Sequence, residues 1–161
     1  MGSGLAEVAA KAGYTVIVRS RSAASAQAMI TTIEKGLDKQ VSREKITAED
    51  KAAILGRLSA TDKIADLADC DLVIESVVED LAVKKALFAE LDKAVKPEAI
   101  LATNTSTLPV VEMAMATGRP DKVCGIHFFN PATAMPLVEV VRPITASDET
   151  IDAANAFTAQ C

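Results

Sequence analysis

Short runs of consecutive apolar residues alternate along this chain with longer stretches in which apolar positions recur every three or four residues. The first pattern is that of buried strands, the second that of amphipathic helices. Leu5, Val8, Ala9 and Ala12 form a helical stripe over residues 4–12, and Gly13 stops it. Residues 14–18, with Val16, Ile17 and Val18, are a β-branched run of strand length. A second helix, capped by Ser22 or Ser25, runs through Met29, Ile33, Leu37 and Val41. Thr47 opens a third, through Ala53 and Leu55, with Asp50 in the acidic place of a capping box. Residues 71–75 are the next strand, followed by an amphipathic helix over 80–95 that Lys96-Pro97 closes. The pattern then predicts a strand at 99–103, a helix near 108–116 and strands at 123–128 and 137–141. A last helix starts after Ser147-Asp148.

Continuous apolar strands separated by helices predict a parallel sheet covered on both faces. The units are too few to close an eight-stranded barrel, so the expected class is doubly wound α/β. Such a sheet normally begins with its central strand, whereas this chain opens on a helix. The expectation is therefore a mostly parallel sheet lacking its first strand, with residues 1–161 forming one partial domain of a longer protein.

Half of the 161 residues are apolar and 24% are charged, a globular composition. A net charge of −5 and a pI near 4.9 disfavour a phosphate-tracking surface, and 3% aromatics without tryptophan disfavour base-stacking platforms. No apolar run approaches a membrane span, and the first residues do not form a signal peptide. Cys70, Cys124 and Cys161 lack paired spacing, so neither a zinc site nor a disulfide frame is expected. The picture is a cytoplasmic domain that handles a small molecule, with no nucleic-acid or membrane partner.

Gly2 and Gly4 open a helix, and the following strand ends at Val18-Arg19. That spacing matches the second half of a dinucleotide turn, in which glycine admits backbone to a pyrophosphate and the helix N-terminus offers free N–H groups. A plain helix start is the alternative. After the strand, an NAD site places Asp or Glu on the ribose hydroxyls. Here stand Arg19, Ser20, Arg21 and Ser22, which suit a 2′-phosphate and hence NADP, or else form a solvated basic turn.

His127, the one histidine, ends an apolar strand, where ligands of such sheets bind. Glu139 lies within the apolar run Leu137-Val138-Glu139-Val140-Val141. A carboxylate buried there needs a partner, His127 or Arg142; exposure on an edge strand is the alternative. A carboxylate on one imidazole nitrogen fixes the tautomer, as a general base requires. Asn104, Thr105 and Ser106 at another strand end, with Asn130 beyond the histidine, add uncharged groups at the same edge.

Five segments carry a resemblance: Met1-Gly2-Ser3-Gly4-Leu5-Ala6-Glu7, Val73-Ile74-Glu75-Ser76-Val77-Val78-Glu79-Asp80, Asn104-Thr105-Ser106-Thr107-Leu108, Gly125-Ile126-His127-Phe128-Phe129-Asn130-Pro131 and Pro136-Leu137-Val138-Glu139-Val140-Val141. Along essentially its whole length the chain resembles the nicotinamide-binding, Rossmann-like domain of the L-3-hydroxyacyl-CoA dehydrogenase family. His-Phe-Phe separates it from dehydrogenases of small hydroxy-carboxylates, where His-Pro is expected. The resemblance implies reversible oxidation of a 3-hydroxyacyl-CoA to the 3-ketoacyl-CoA in fatty-acid or butyrate-type metabolism. It implies His127 as proton acceptor with Glu139 as its partner, and Ser106 and Asn130 in the active site. It implies cofactor contacts at Gly2, Glu79, Lys84, Ser106 and Asn130, with Ser106 also on the substrate. The family uses NAD, whereas Arg19 and Arg21 argue for NADP. Lys45 and Arg43 are candidates for CoA phosphates, or for a solvated charge cluster. The family's helical C-terminal domain and its homodimer contacts are expected outside these residues, so this chain alone is expected to be inactive. The alternative is a non-catalytic nucleotide-binding or interaction module of the same fold.

Overall fold

The computed structural model describes residues 1–161, which divide into two compact units. The first comprises residues 1–63 with 130–134 and 161; the second comprises 64–129 with 135–160.

In the first unit α1 (Gly2–Lys11) leads to β1 (Val16–Arg19), then α2 (Ala23–Ser42), α3 (Ala48–Gly56) and β2 (Leu58–Thr61). Strands β1 and β2 are parallel, in register from Val16 opposite Leu58 to Arg19 opposite Thr61. The helices start where the caps dictate. Ser22 accepts from the Ser25 N–H, Thr47 from the Asp50 N–H, and both form reciprocal capping boxes. Gly13 ends α1 in the left-handed region at φ 100°, a conformation most side chains resist. Ala6 and Ala10 of α1, Val18 of β1, Ile33 and Leu37 of α2 and Ile54 of α3 form one buried cluster. Ile33 and Leu37 are fully enclosed, and each such side chain contributes about 1.5–3 kcal/mol by leaving water.

The second unit holds β3 (Leu72–Glu75), α4 (Leu81–Ala94), β4 (Ile100–Thr103), α5 (Val110–Ala114), β5 (Val123–Phe128), β6 (Val138–Val141) and α6 (Asp148–Gln160). The sheet order is β3-β4-β5-β6; the first three strands run parallel and β6 is antiparallel at the edge. Phe88 and Leu91 of α4, Met113 of α5 and Leu101, Val123 and Ile126 of the sheet are buried. Arg119 completes the C-terminus of α4, whose last carbonyls have no partner within the helix. It donates Nε to Asp92 Oδ1 at 2.6 Å and its other nitrogens to the carbonyls of Asp92, Val95, Lys96 and Ala99.

Two expectations need correction. Strand β2 and the 3-10 turn at Ile64–Leu67 are absent from the sequence pattern. Leu-Ser-Ala-Thr has one large apolar residue and no alternation, so only pairing with β1 makes it a strand. Residues 14 and 15 lie outside β1, whose ladder starts with the Val16 N–H on the Arg57 carbonyl. The strands form two hydrogen-bonded sheets, β1-β2 and β3-β4-β5-β6, parallel except for β6, which bears out the expected mostly parallel α/β class.

Candidate active site

Strands β3, β4 and β5 of the second unit run parallel, so their carboxyl ends at Glu75, Thr103 and Phe128 lie on one edge. Loops leaving that edge carry several of the candidate groups, where ligands of sheets of this type bind.

His127 stands opposite Glu139 in the β5–β6 ladder, and its Nδ1 lies 2.8 Å from Glu139 Oε2. An ionised carboxylate only accepts, so Nδ1 carries the hydrogen and Nε2 presents a lone pair in the neutral ring. Gly125 permits this approach. A Cβ there would sit 2.8 Å from the Cβ of Val141, its partner across the same ladder. The Phe129 ring packs at 4.6 Å from the imidazole with a 55° tilt. The His127 side chain is 15% exposed, that of Glu139 54%. The expected burial of Glu139 is thus corrected: β6 is an edge strand, and apolar neighbours on an edge do not enclose every side chain. Arg142, the other candidate partner, pairs with Asp148 at 2.6 Å.

A second cluster lies at the ends of β3 and β4. Lys84, in the first turns of α4, is completely enclosed, and its ammonium lies 2.8 Å and 3.0 Å from the two Glu75 oxygens. Its third contact, at 3.2 Å, is Glu79 Oε2. Glu79 keeps 40% of its side chain exposed and also accepts from the Thr105 hydroxyl. Burial pushes the Glu79 carboxyl up, but the bonds from Thr105, Lys84 and the Ser106 N–H outweigh it and hold the group below the usual carboxylate range. Thr105 in turn accepts from the Leu108 N–H at 3.0 Å, which shapes the turn that carries exposed Ser106. Asn104 serves the sheet itself. Its Oδ1 accepts the Phe128 N–H at 2.8 Å and joins the end of β4 to the strand that holds His127.

Sequence patterning missed Glu75 and Thr103. Glu75 ends an apolar strand like any boundary carboxylate, and its one sequence signal is a lysine nine positions on. Cys124 is buried in β5, and that burial pushes its thiol up to about 12, away from the thiolate form that reacts.

The first unit holds the other candidates. Gly2 is the first residue of α1, and a Cβ on it would meet the flexible end of Met29 at 2.9 Å. Arg19 ends β1 with its Nε buried and without a hydrogen-bond partner. Arg21 is exposed just beyond it. Ser25 Oγ lies 2.9 Å from the hydroxyls of both Ser20 and Ser22 at the start of α2. Arg43 and Lys45 are exposed in the connection between α2 and α3. Asn130 is exposed at a cis Asn130–Pro131 bond.

The family described as "3-hydroxyacyl-CoA dehydrogenase, NAD binding domain" matches residues 1–161. The chain belongs to that family. A 3-hydroxybutyryl-CoA dehydrogenase of Bradyrhizobium diazoefficiens is 45% identical over 160 residues, which are 99% of this chain and 55% of that protein. One from Mycobacterium tuberculosis is 47% identical over 149 residues, 92% of this chain and 52% of its own length. The chain thus spans about half the length of the curated relatives it matches. Among solved structures, (S)-3-hydroxybutyryl-CoA dehydrogenase from Ralstonia eutropha superposes with a TM-score of 0.97 at 36% identity, covering 99% of this chain and 56% of that one. The family is one of oxidoreductases built on a Rossmann-like domain that binds a nicotinamide cofactor. No helix is long and apolar enough to cross a membrane.

Proposed function

We propose that the protein carrying this chain interconverts a 3-hydroxyacyl-CoA and the 3-ketoacyl-CoA, with NADP(H) as the favoured cofactor. The observation that carries the reaction is the His127–Glu139 contact. With Nδ1–H given to Glu139, Nε2 is the atom left to take the proton of the substrate hydroxyl. Glu139 stabilises the positive charge that then develops on the ring, without waiting for solvent to reorganise. When bound, the nicotinamide ring supplies the acceptor for the hydride released from the carbinol carbon. In the reverse direction the ring of His127 returns the proton to the carbonyl oxygen. Ser106, exposed at the end of β4, and Asn130 orient the substrate oxygen. Glu79 offers an ionised carboxylate suited to accept from ribose hydroxyls.

The residues of the first unit fit a phosphorylated ribose better than a bare one. Arg19 occupies the place where an NAD site carries an acid. A buried guanidinium N–H without a partner is an unmet donor, and the hydroxyls of Ser20, Ser22 and Ser25 gather at the adjacent helix start. Exposed Lys45 and Arg43 are available to the phosphates of CoA. A cytoplasmic homodimer completes this reading of the full-length protein.

The test is turnover of acetoacetyl-CoA by the complete protein, followed separately with NADH and NADPH. Consumption of reduced cofactor, faster with NADPH, is expected. Cofactor binding without any turnover would overturn the enzymatic reading in favour of a non-catalytic module.

A further inference from the structure

The ladder between β4 and β5 ends at Thr103, opposite Gly125. Strand β5 runs three residues further, through Ile126, His127 and Phe128, with no partner residue in β4. Asn104 itself turns its N–H to the Glu75 carbonyl of β3 at 2.8 Å. Its side chain fills the place that the β4 backbone has left, where Oδ1 accepts the Phe128 N–H at 2.8 Å. Only the carbonyl end of an amide accepts from an N–H, so the orientation of this side chain is fixed. One residue thus bonds to both neighbours of β4, through its backbone to β3 and through its side chain to β5.

The Phe128 N–H belongs to the peptide unit that joins His127 to Phe128. That unit is planar, so a grip on its N–H sets the rotation of the plane about the His127 Cα, one of the two soft backbone angles of the histidine. Phe129, whose ring packs against the imidazole at 4.6 Å, hangs from the same segment. Glu139 holds the imidazole from β6, but it is half exposed on an edge strand. Phe128 is buried, and a buried N–H is costly to leave without an acceptor, which makes the Asn104 bond the firmer of the two tethers.

We propose that Asn104 is a positioning residue for His127: by accepting the Phe128 N–H it holds the end of β5 at the angle that keeps the imidazole on Glu139 and Nε2 towards the reactants. The inference deepens the reading of His127 as proton acceptor and rests on it. The task requires no contact between Asn104 and the reactants.

The test uses the complete protein with Asn104→Leu, which keeps the bulk and loses the acceptor, and Asn104→Asp, which keeps an acceptor oxygen. The leucine variant is also made in a His127→Ala background. Melting temperatures are measured, and kcat and KM for acetoacetyl-CoA reduction are followed at a temperature where every variant is folded. Asn104→Leu is expected to lower kcat about 10–100-fold with KM unchanged, the cost of a reacting group displaced by about 1 Å. Asn104→Asp is expected to recover most of that loss. Because the asparagine acts through the imidazole, Asn104→Leu should have no further effect on kcat once His127 is alanine. A folded Asn104→Leu with wild-type kcat would overturn the proposal. So would a loss of equal size in both backgrounds, which marks a merely structural role. Should Asn104→Leu not fold, Asn104→Ala, which adds no bulk, decides by the same criteria. Those outcomes leave the reading of His127 standing. A wild-type protein that does not turn over acetoacetyl-CoA, or a His127→Ala variant with wild-type kcat, would overturn that reading and this inference with it.

Discussion

His127 and Glu139 are directly opposed residues of an antiparallel ladder, and their side chains meet at 2.8 Å between Nδ1 and Oε2. The contact is set by strand register: a slip of one residue in β6 would turn Glu139 to the other face.

The pair makes a graded prediction. His127→Ala removes the proton acceptor and should lower kcat for acetoacetyl-CoA reduction about 10²–10⁴-fold. Glu139→Gln leaves an amide that can still hold the ring, but without its charge. Because Glu139 is half exposed, water replaces part of what is lost, and a fall on the order of 10–100-fold is expected. Steady-state kinetics of both variants in the complete protein check this. Wild-type kcat in either would remove the mechanism.

Gly125 is predicted to be intolerant of the smallest side chain. Alanine would place its Cβ 2.8 Å from that of Val141, close to the backbone of β6, where neither strand can yield by a simple rotamer change. Gly125→Ala should cost about 1–3 kcal/mol of stability as an overpacked site. It should also depress kcat, because β6 carries Glu139 away from the imidazole. Urea unfolding with parallel kinetics measures both, and a variant as stable and active as wild type refutes the close-approach account.

Cofactor preference should follow Arg19. Arg19→Asp replaces a guanidinium whose Nε has no partner with the acid that accepts from ribose hydroxyls. The ratio of kcat/KM for NADPH over NADH is expected to drop by about tenfold or more, the loss of one charge-assisted contact. An unchanged ratio would show that the arginine does not face the ribose.

Acid stability should depend on Asp92. Burial pushes its carboxyl up, but the Gly118 N–H and the Arg119 guanidinium outweigh that and hold it below the usual range. A carboxyl lowered in the folded state contributes stability above its unfolded value near 4, and that contribution fades as pH falls through the folded value. Asp92→Asn should therefore be less stable than wild type at neutral pH by about 1.5–3 kcal/mol. The gap should narrow below about pH 4. Denaturant melts across pH 3–7 test this, and a gap that widens on acidification contradicts the assignment.

The sequence by itself determined what is local or periodic. The capping boxes at Ser22 and Thr47, the stop at Gly13 and the helix capped by Asp80 all follow from contacts within a few residues, and the apolar run of the strand that carries His127 is visible in its composition. The candidates Ser106 and His127 stood out in the sequence because they fall near strand ends, and Glu139 because it is a carboxylate in an apolar run. Tertiary structure decided what depends on neighbours far along the chain. Leu58–Thr61 is a strand because β1 lies beside it, and Glu139 is exposed because β6 falls at the sheet edge. Glu75 and Lys84 are nine residues apart, yet Thr103, twenty-eight residues beyond Glu75, completes their site. Periodicity records which face of an element is apolar; it carries no information on which element will cover that face. Burial, and hence the state and partner of every charge, is settled only when the strands are laid side by side.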